Sequence, residues 1–169
     1  VPLLLAEKEV IAGDLFLQGS GDPSLGPTGL AQLAHELARR GVRRIQGDVL
    51  LDGQFRDLQA LQKEATPATY GAGALILNRD AYTVRVEPGR AGQLASAWVD
   101  SRSPFFVVHN LVRTVRGKKG RILVDHALRG DRLAVTVRGR IGVGRGRVAV
   151  RQRFGFATTW AAAILRQAL

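Results

Sequence analysis

The sequence predicts an α+β protein of mixed α/β character: a small α/β unit built from both ends of the chain, with a β-rich subdomain inserted between them. Three patterns predict this arrangement. A strand, a helix and a second strand follow one another near the beginning, short alternating strands fill the middle, and a helix closes the chain. We therefore expect residues 1–80 and 150–169 to form the α/β unit and residues 81–149 the inserted one.

The first predicted strand runs from Val10 to Gln18, and the turn-forming cluster Gly19–Pro23 ends it. Between residues 30 and 37, apolar side chains recur at positions i, i+3, i+4 and i+7, which places them on one face of a helix. Thr28 is the predicted N-cap of this helix, and Gly41 is expected to end it.

A second strand is predicted from Ile45 to Asp52, so the order strand, helix, strand favours a β-α-β unit with a right-handed crossover. Residues 53–72 are polar and irregular, with one short helix predicted near Leu58–Glu64. A helix is predicted over about Thr158–Gln167. The short strands predicted for the inserted part form a small sheet or barrel-like subdomain; they are Ala74–Leu77, Tyr82–Val86, Leu94–Val99, Phe105–Val112, Arg121–Val124, Leu133–Val137 and Val148–Val150.

Two residue types are absent from the 169 residues. Without cysteine the chain cannot form disulfides, zinc–thiolate sites or a cysteine nucleophile. Without methionine, even at position 1, we expect a processed chain or an excised fragment. No apolar run approaches the roughly 20 residues needed to cross a bilayer, so no transmembrane segment is predicted.

The serines give no sign of a nucleophile. A serine enzyme of the Ser-x-x-Lys type needs a lysine one helical turn after the serine, because its amine helps to remove the hydroxyl proton. None of the five serines has lysine three residues later, and no Gly-x-Ser-x-Gly motif occurs. Lys118-Lys119-Gly120 lacks the hydroxyl residue of a Lys-Thr/Ser-Gly strand and is interpreted as a turn. We therefore predict no catalytic residue.

No metal or cofactor site is predicted either. The three histidines, His35, His109 and His126, do not have the spacing of a metal motif. The glycine-rich segment Gly139–Gly146 could cradle a phosphate, but a phosphate-binding loop would lead into a helix. The residues that follow alternate like a strand, which favours a turn between two strands.

Positive charge is concentrated in one stretch. Residues 111–153 contain 13 basic and two acidic residues and so carry the whole net charge of +11. Apolar and basic residues alternate in Arg132–Arg140 and again in Arg147–Arg153, which gives each strand one basic face. Such a face can bind nucleic acid or an anionic envelope polymer. The stretch contains no aromatic residue on which bases could stack, which favours a solvated face, an anionic polymer or lipid headgroups.

One constellation resembles a known family. Gly13–Leu25, Gly41–Ile45 and Gly47–Asp52 resemble the segment that follows the first part of the nucleophile domain in class C low-molecular-mass penicillin-binding proteins, which are serine D-alanyl-D-alanine carboxypeptidases and endopeptidases. Trp160–Leu165 resembles the helix that returns to the catalytic domain. Looser matches lie at Tyr70, Ala74-Leu75, Leu77-Asn78, Val86-Glu87-Pro88, Asn110 and Thr114.

The resemblance implies a function. In that family, extra domains are inserted between the Ser-x-x-Lys and Ser-x-Asn motifs, and this chain is similar to that insert. It would be a non-catalytic accessory region of a D-alanyl-D-alanine carboxypeptidase or endopeptidase in the bacterial cell envelope, a periplasmic or extracytoplasmic compartment. Its implied partners are the catalytic domain of the same parent polypeptide and the stem peptide of peptidoglycan.

The same resemblance implies a substrate-binding position. Asp52 and Phe55 match the place where a carboxylate could pair with a substrate ammonium beside an aromatic wall. The alternative function is a basic binding module for nucleic acid or an anionic envelope polymer, with the face in residues 111–153 as its binding surface.

Overall fold

The structure is a computed structural model that describes residues 10–19, 22, 24–52, 75–101 and 103–168. These ranges contain the α helices α1 (Pro27–Arg39) and α2 (Ala157–Ala168). They also contain the strands β1 (Val10–Ile11), β2 (Leu15–Gln18), β3 (Arg44–Ile45), β4 (Val49–Asp52), β5 (Ala81–Glu87), β6 (Ser96–Val99), β7 (Phe106–Val115), β8 (Arg121–Arg129), β9 (Arg132–Gly142) and β10 (Val148–Arg153). The predicted α+β class, with a β-rich part, is confirmed.

The chain divides into two compact units. The N-terminal unit takes the described residues up to Asp80 and those from Gly155 onward, and the inserted unit is Ala81–Phe154. The second boundary therefore differs from the predicted one at residue 149, which falls inside β10. Because β10 pairs along its whole length with β5, from Val148 opposite Val86 to Arg153 opposite Ala81, the strand belongs to the inserted unit.

The N-terminal unit contains the predicted strand, helix and parallel strand. β1 pairs with β3 and β2 pairs with β4, both in parallel, and α1 lies between the paired strands in the sequence. The predicted strand Val10–Gln18 is divided in two at residues 12–14, where the backbone leaves the extended ladder. The N-terminal β-α-β order is therefore confirmed.

Helix α1 begins and ends at residues that prevent its extension. Its N-cap is Gly26 with Pro27 in the first turn, so the prediction of Thr28 as N-cap is wrong. Proline is favoured there because its missing N–H would have no partner in the helix. Gly41 follows the helix with a φ of 91°, a left-handed conformation that glycine adopts without steric cost, which confirms the predicted stop. The buried face of α1 contains Leu30 and Ala34 and packs along α2.

The inserted unit consists of two three-stranded sheets. One has the order β10–β5–β6 and is antiparallel; the other has the order β7–β9–β8, in which β9 pairs in parallel with β7 and antiparallel with β8. Alternate valines of β5 and β9 are fully buried and form the centre of the unit. An aromatic cluster adjoins them, with ring centroids between 5.0 and 6.4 Å apart in the neighbouring pairs; it comprises Tyr82, Phe105, Phe106 and Phe154.

The glycine-rich segment is only partly a turn. Gly139 and Gly142 lie within β9, and a short 3-10 turn at Val143–Arg145 leads into β10. The connection from β7 to β8 passes over this end of β9, so closely that a Cβ atom on Gly142 would come within 2.7 Å of the Lys118 carbonyl carbon. Glycine at position 142 therefore allows the backbone of the β7–β8 connection to lie this close to the end of β9. No helix follows, so the structure does not form a phosphate-binding loop here.

The segment before β5 differs from the prediction. Residues 75–77 do not form a strand, and Asn78, Arg79 and Asp80 all have positive φ values, between 48° and 56°. Asn and Asp tolerate this conformation better than most residues, which suits them to the turn. Burial raises the pKa of Asp80. The predicted helix near Leu58–Glu64 lies outside the described residues.

Candidate functional site at the carboxyl edge of the N-terminal strands

Two Gly-Asp pairs hold the N-terminal strands together. Gly13-Asp14 lies between β1 and β2, and Gly47-Asp48 lies between β3 and β4. The Gly47 amide donates to the Gly13 carbonyl at 3.2 Å, and the Asp48 amide donates to the Asp14 carboxylate at 2.8 Å. The Leu15 amide donates to the Asp48 carbonyl at 2.8 Å, and the pairing of β2 with β4 begins at this bond. These bonds fix the register of β2 against β4.

That register brings Asp52 to a strand edge. Gln18, the last residue of β2, pairs with Asp52, the last residue of β4. Because the strands are parallel, the segments that follow them leave from the same edge. In open α/β sheets the carboxyl edge of the strands is the usual place for ligands. We call this the carboxyl edge.

After β2, the Asp22 carboxylate contacts Ser24. One oxygen of Asp22 accepts hydrogen bonds from the amide and the hydroxyl of Ser24, at 2.8 and 2.7 Å. Both bonds favour the ionised carboxylate, so they lower the pKa of Asp22. This carboxylate was predicted as part of the turn, and its contacts with Ser24 are those of a turn-forming residue.

The structure describes the backbone of only one of the two predicted substrate-binding residues. The backbone of Asp52 lies at the carboxyl edge, at the end of β4. Phe55 lies outside the described residues. Their joint role in binding a substrate ammonium stays a prediction.

One face of the β2–β4 pair is apolar and exposed. Phe16 and Leu50 are directly paired and have 69% and 39% of their surfaces exposed. On the helix side, an apolar groove of about 320 Å³ is lined by Leu15, Leu17 and Leu37, among others. A cleft of about 600 Å³ lies between α1, β3, β4 and α2 and is lined by apolar and charged residues, including Arg43, Asp48 and Arg166. The N-terminal unit therefore has surfaces suited to contact with another polypeptide.

Three of the four serines that the structure describes make hydrogen bonds within turns. Ser101 Oγ accepts from the Ser103 amide at 3.2 Å, and Ser103 Oγ accepts from the Phe105 amide at 3.3 Å. With Ser24 in its own turn, three of the five serines are thus turn-forming residues. Lys118 and Lys119 are exposed in the connection between β7 and β8, which confirms the interpretation of Lys118-Lys119-Gly120 as a turn.

Two residues of the family resemblance, Asn110 and Thr114, form a backbone clamp in the inserted unit. The Asn110 amide donates to the Ala95 carbonyl at 2.6 Å and accepts from the Val112 amide at 3.0 Å. The buried Thr114 hydroxyl accepts from the Gly89 amide at 3.0 Å. Both side chains therefore tie the loop between β5 and β6 to β7, and these contacts give the two residues a structural role.

His126 and Asp125 point to opposite faces of β8, as their adjacency in a strand predicts. His126 Nδ1 lies 3.0 Å from the Tyr82 hydroxyl. Burial, and secondly the negative charge of Asp125, raises the pKa of Tyr82 far above its usual range, so the hydroxyl stays protonated and can donate this bond. In the described residues, no three His, Asp or Glu side chains are grouped as metal ligands.

The sequence pattern of the D-Ala-D-Ala carboxypeptidase 3 (S13) family matches residues 5–169. The chain therefore belongs to this family, and the resemblance to low-molecular-mass penicillin-binding proteins is confirmed. It is similar to a D-alanyl-D-alanine carboxypeptidase from Actinomadura sp. (strain R39), with 27% identity over 136 residues, which cover 73% of this chain and 25% of that protein.

Solved structures share the fold. Penicillin-binding protein 4 (dacB) from Haemophilus influenzae superposes with a TM-score of 0.64 and 16% identity, covering 96% of this chain and 37% of that one. The same protein complexed with a novel β-lactam gives a TM-score of 0.64 and 18% identity, covering 96% and 34%. The chain thus spans from a quarter to just over a third of the length of these relatives. Neither described helix is long and apolar enough to span a bilayer.

Proposed function

We propose that this chain is the non-catalytic accessory region of a D-alanyl-D-alanine carboxypeptidase or endopeptidase that remodels peptidoglycan in the bacterial cell envelope, where it flanks the active-site cleft of its parent. The observation that carries the proposal is a family match over residues 5–169 in a chain whose five serines all lack a lysine three residues later. The serine that attacks the terminal D-Ala-D-Ala amide, and forms the acyl-enzyme, then lies elsewhere in the parent.

The first partner in this proposal is the catalytic domain of the same polypeptide. The exposed side of the β2–β4 pair supports it, because Phe16 and Leu50 present apolar surface that contact with another domain would remove from water. The apolar groove beside β2 extends the surface available for such contact.

The second partner is the stem peptide of peptidoglycan. Asp52 ends β4 at the carboxyl edge, from which a carboxylate could pair with the side-chain ammonium of a stem peptide. Phe55 enters the proposal through the family resemblance, as an apolar wall beside that ammonium. This arrangement assigns the carboxyl edge to substrate recognition and leaves the chemistry to the catalytic domain.

Labelling with a fluorescent penicillin tests the absence of a nucleophile. We expect the 169-residue chain to remain unlabelled after denaturing electrophoresis, because a β-lactam acylates only an activated serine. The intact parent carboxypeptidase should be labelled under the same conditions and serves as the positive control. A covalent adduct on any of the five serines of this chain would contradict the proposal.

Exchange of Asp52 for asparagine in the parent carboxypeptidase tests the substrate contact. We expect KM for a stem peptide with a free side-chain amine to rise about fivefold, the effect of losing an ion pair worth about 1 kcal/mol, with kcat little changed. The same peptide with its amine acetylated should show no difference between Asp52→Asn and the wild type. Asp48→Asn, at an exposed carboxylate just before the same strand β4, is the matched control. Equal losses on both peptides would reject an ion pair at Asp52.

A further inference from the structure

The outer surface of the β7–β9–β8 sheet is strongly basic. The strand register aligns Arg113 of β7, Arg140 of β9 and Arg121 of β8 in one row across the sheet. Arg132 and Arg129 pair in another row, and Arg138 lies between the two rows. All six guanidinium side chains are exposed. We call the outward side chains of these three strands the basic face.

Most of this charge is not neutralised within the described residues. Asp125 is the only carboxylate among the outward side chains of the three strands, and it pairs with Arg138 at 2.9 Å. The other five arginines form no ion pair with any residue that the structure describes. The connection between β7 and β8 adds exposed Arg116, Lys118 and Lys119 beyond one end of the sheet.

Two leucines interrupt the positive charge. Leu111 and Leu123 align with Arg138 in the row next to the three arginines, and they expose 61% and 39% of their surfaces. Neither can turn inward, because the alternate residues Val112 and Val137 already fill the opposite side of the sheet. The face thus combines arginines with outward apolar side chains that would gain from leaving water.

We propose that the basic face binds the surface of a bilayer that contains anionic phospholipids. Arginines are attracted to the lipid phosphates, and the two leucines enter the boundary between headgroups and acyl chains. The face would hold the inserted unit at the membrane surface without crossing it. This inference concerns residues 106–142 alone and does not depend on the proposed accessory role.

The composition of the face favours a bilayer over nucleic acid. Proteins that bind single strands without sequence preference stack bases on aromatic side chains, and no aromatic residue occurs between positions 111 and 153. A dissolved polyanion would use the arginines and leave Leu111 and Leu123 in water. The two leucines therefore distinguish the bilayer from a soluble polymer.

Vesicle co-sedimentation of the full chain tests the proposal. The vesicles contain equal parts of phosphatidylglycerol and phosphatidylcholine, and the comparison vesicles contain phosphatidylcholine alone. We expect binding to the anionic vesicles only, with affinity that falls as salt is added. The triple variant Arg113→Gln/Arg121→Gln/Arg140→Gln should bind about 100-fold more weakly, since each arginine near an anionic surface contributes about fivefold.

A second triple variant, Arg43→Gln/Arg44→Gln/Arg90→Gln, removes the same charge from exposed positions off the face and is the matched control. It should lose less than about fivefold if the face carries the binding. Leu111→Ser/Leu123→Ser should weaken vesicle binding about tenfold and leave binding to soluble polyphosphate unchanged.

Three results would overturn the inference: no binding by the wild type, equal losses in the two triple variants, or leucine substitutions without effect on vesicles. Far-ultraviolet circular dichroism verifies that every variant is folded, so that a loss of binding reports on the surface. The face would instead be assigned to a soluble polyanion by one pattern of results. In that pattern the chain binds polyphosphate or duplex DNA tightly, and the leucine substitutions change neither this binding nor the binding to vesicles.

Discussion

Replacing Gly47 with alanine is expected to lower the free energy of unfolding of the N-terminal unit by about 3 kcal/mol. A Cβ atom at this position would come within 2.6 Å of the Gly13 carbonyl carbon and 2.7 Å of its oxygen, distances that non-bonded atoms do not share. The obstacle is backbone that itself accepts a hydrogen bond from Gly47, so the strands must separate to make room. Urea denaturation, followed by the fluorescence of Trp160 in a Trp98→Phe background, measures the effect.

Gly13 provides the matched control. Gly13 accepts the hydrogen bond from the Gly47 amide, but a Cβ atom on Gly13 would meet nothing within 4 Å. Gly13→Ala should change stability by less than about 1 kcal/mol. Equal urea midpoints for the two alanine variants would show that the Gly-Asp pairs do not approach as closely as described.

Trp160→Ala should be more damaging still, with a loss of about 4 kcal/mol. Trp160 has 1% of its surface exposed, and it lies on the face of α2 that also buries Ala161 and Ile164. Removing the indole leaves a large cavity that the neighbouring side chains can fill only in part. Thermal unfolding followed by far-ultraviolet circular dichroism provides the measurement, since the variant lacks the tryptophan that would report on the N-terminal unit.

The other tryptophan supplies the comparison. Trp98 lies in β6 of the inserted unit, half-buried, with the Arg147 guanidinium 5.4 Å from its ring centroid. Trp98→Ala should cost about 1 kcal/mol, because it leaves no enclosed cavity and removes one cation–π contact. If Trp98→Ala proved as harmful as Trp160→Ala, the described burial of the two rings would be contradicted.

The helix and the paired strands of the N-terminal unit could be predicted because short sequence patterns determine them. The spacing of apolar residues over 30–37 determined the helix, and Gly41 ended it because few other residues adopt a φ of 91° readily. The N-cap was predicted wrongly, since Thr28 competes poorly with Gly26-Pro27, where proline already has a helical φ. The parallel pairing followed from strands joined by a helix.

The strand order of the inserted unit could not be derived in the same way. Alternation identifies which face of β7, β8 and β9 is buried, and Leu133, Val135 and Val137 are buried as their alternation predicts. It does not say which strand lies in the middle, because every one of the three has one apolar face. Placement of β9 between β7 and β8 depends on contacts between residues far apart in the sequence, such as Val108 with Val135.

The glycines at 139–146 illustrate the same limit. A cluster of glycines indicates unusual backbone, but turns, phosphate loops and close chain crossings all require it. The position of the β7–β8 connection over Gly142 shows that glycine is needed there for a close approach of two backbone segments. Asp52 likewise could be placed at a strand end from its neighbours, whereas its proposed ligand entered through the family resemblance.

The pairing of Ala81 with Arg153 has a consequence for modularity. These residues begin β5 and end β10, so the two points where the chain enters and leaves the inserted unit lie directly opposite each other in the sheet. Paired Cα atoms in antiparallel strands are about 5 Å apart, a gap that a tight turn can bridge. Joining residue 80 to residue 155 in place of residues 81–154 would therefore carry little entropic penalty for closing the remaining chain.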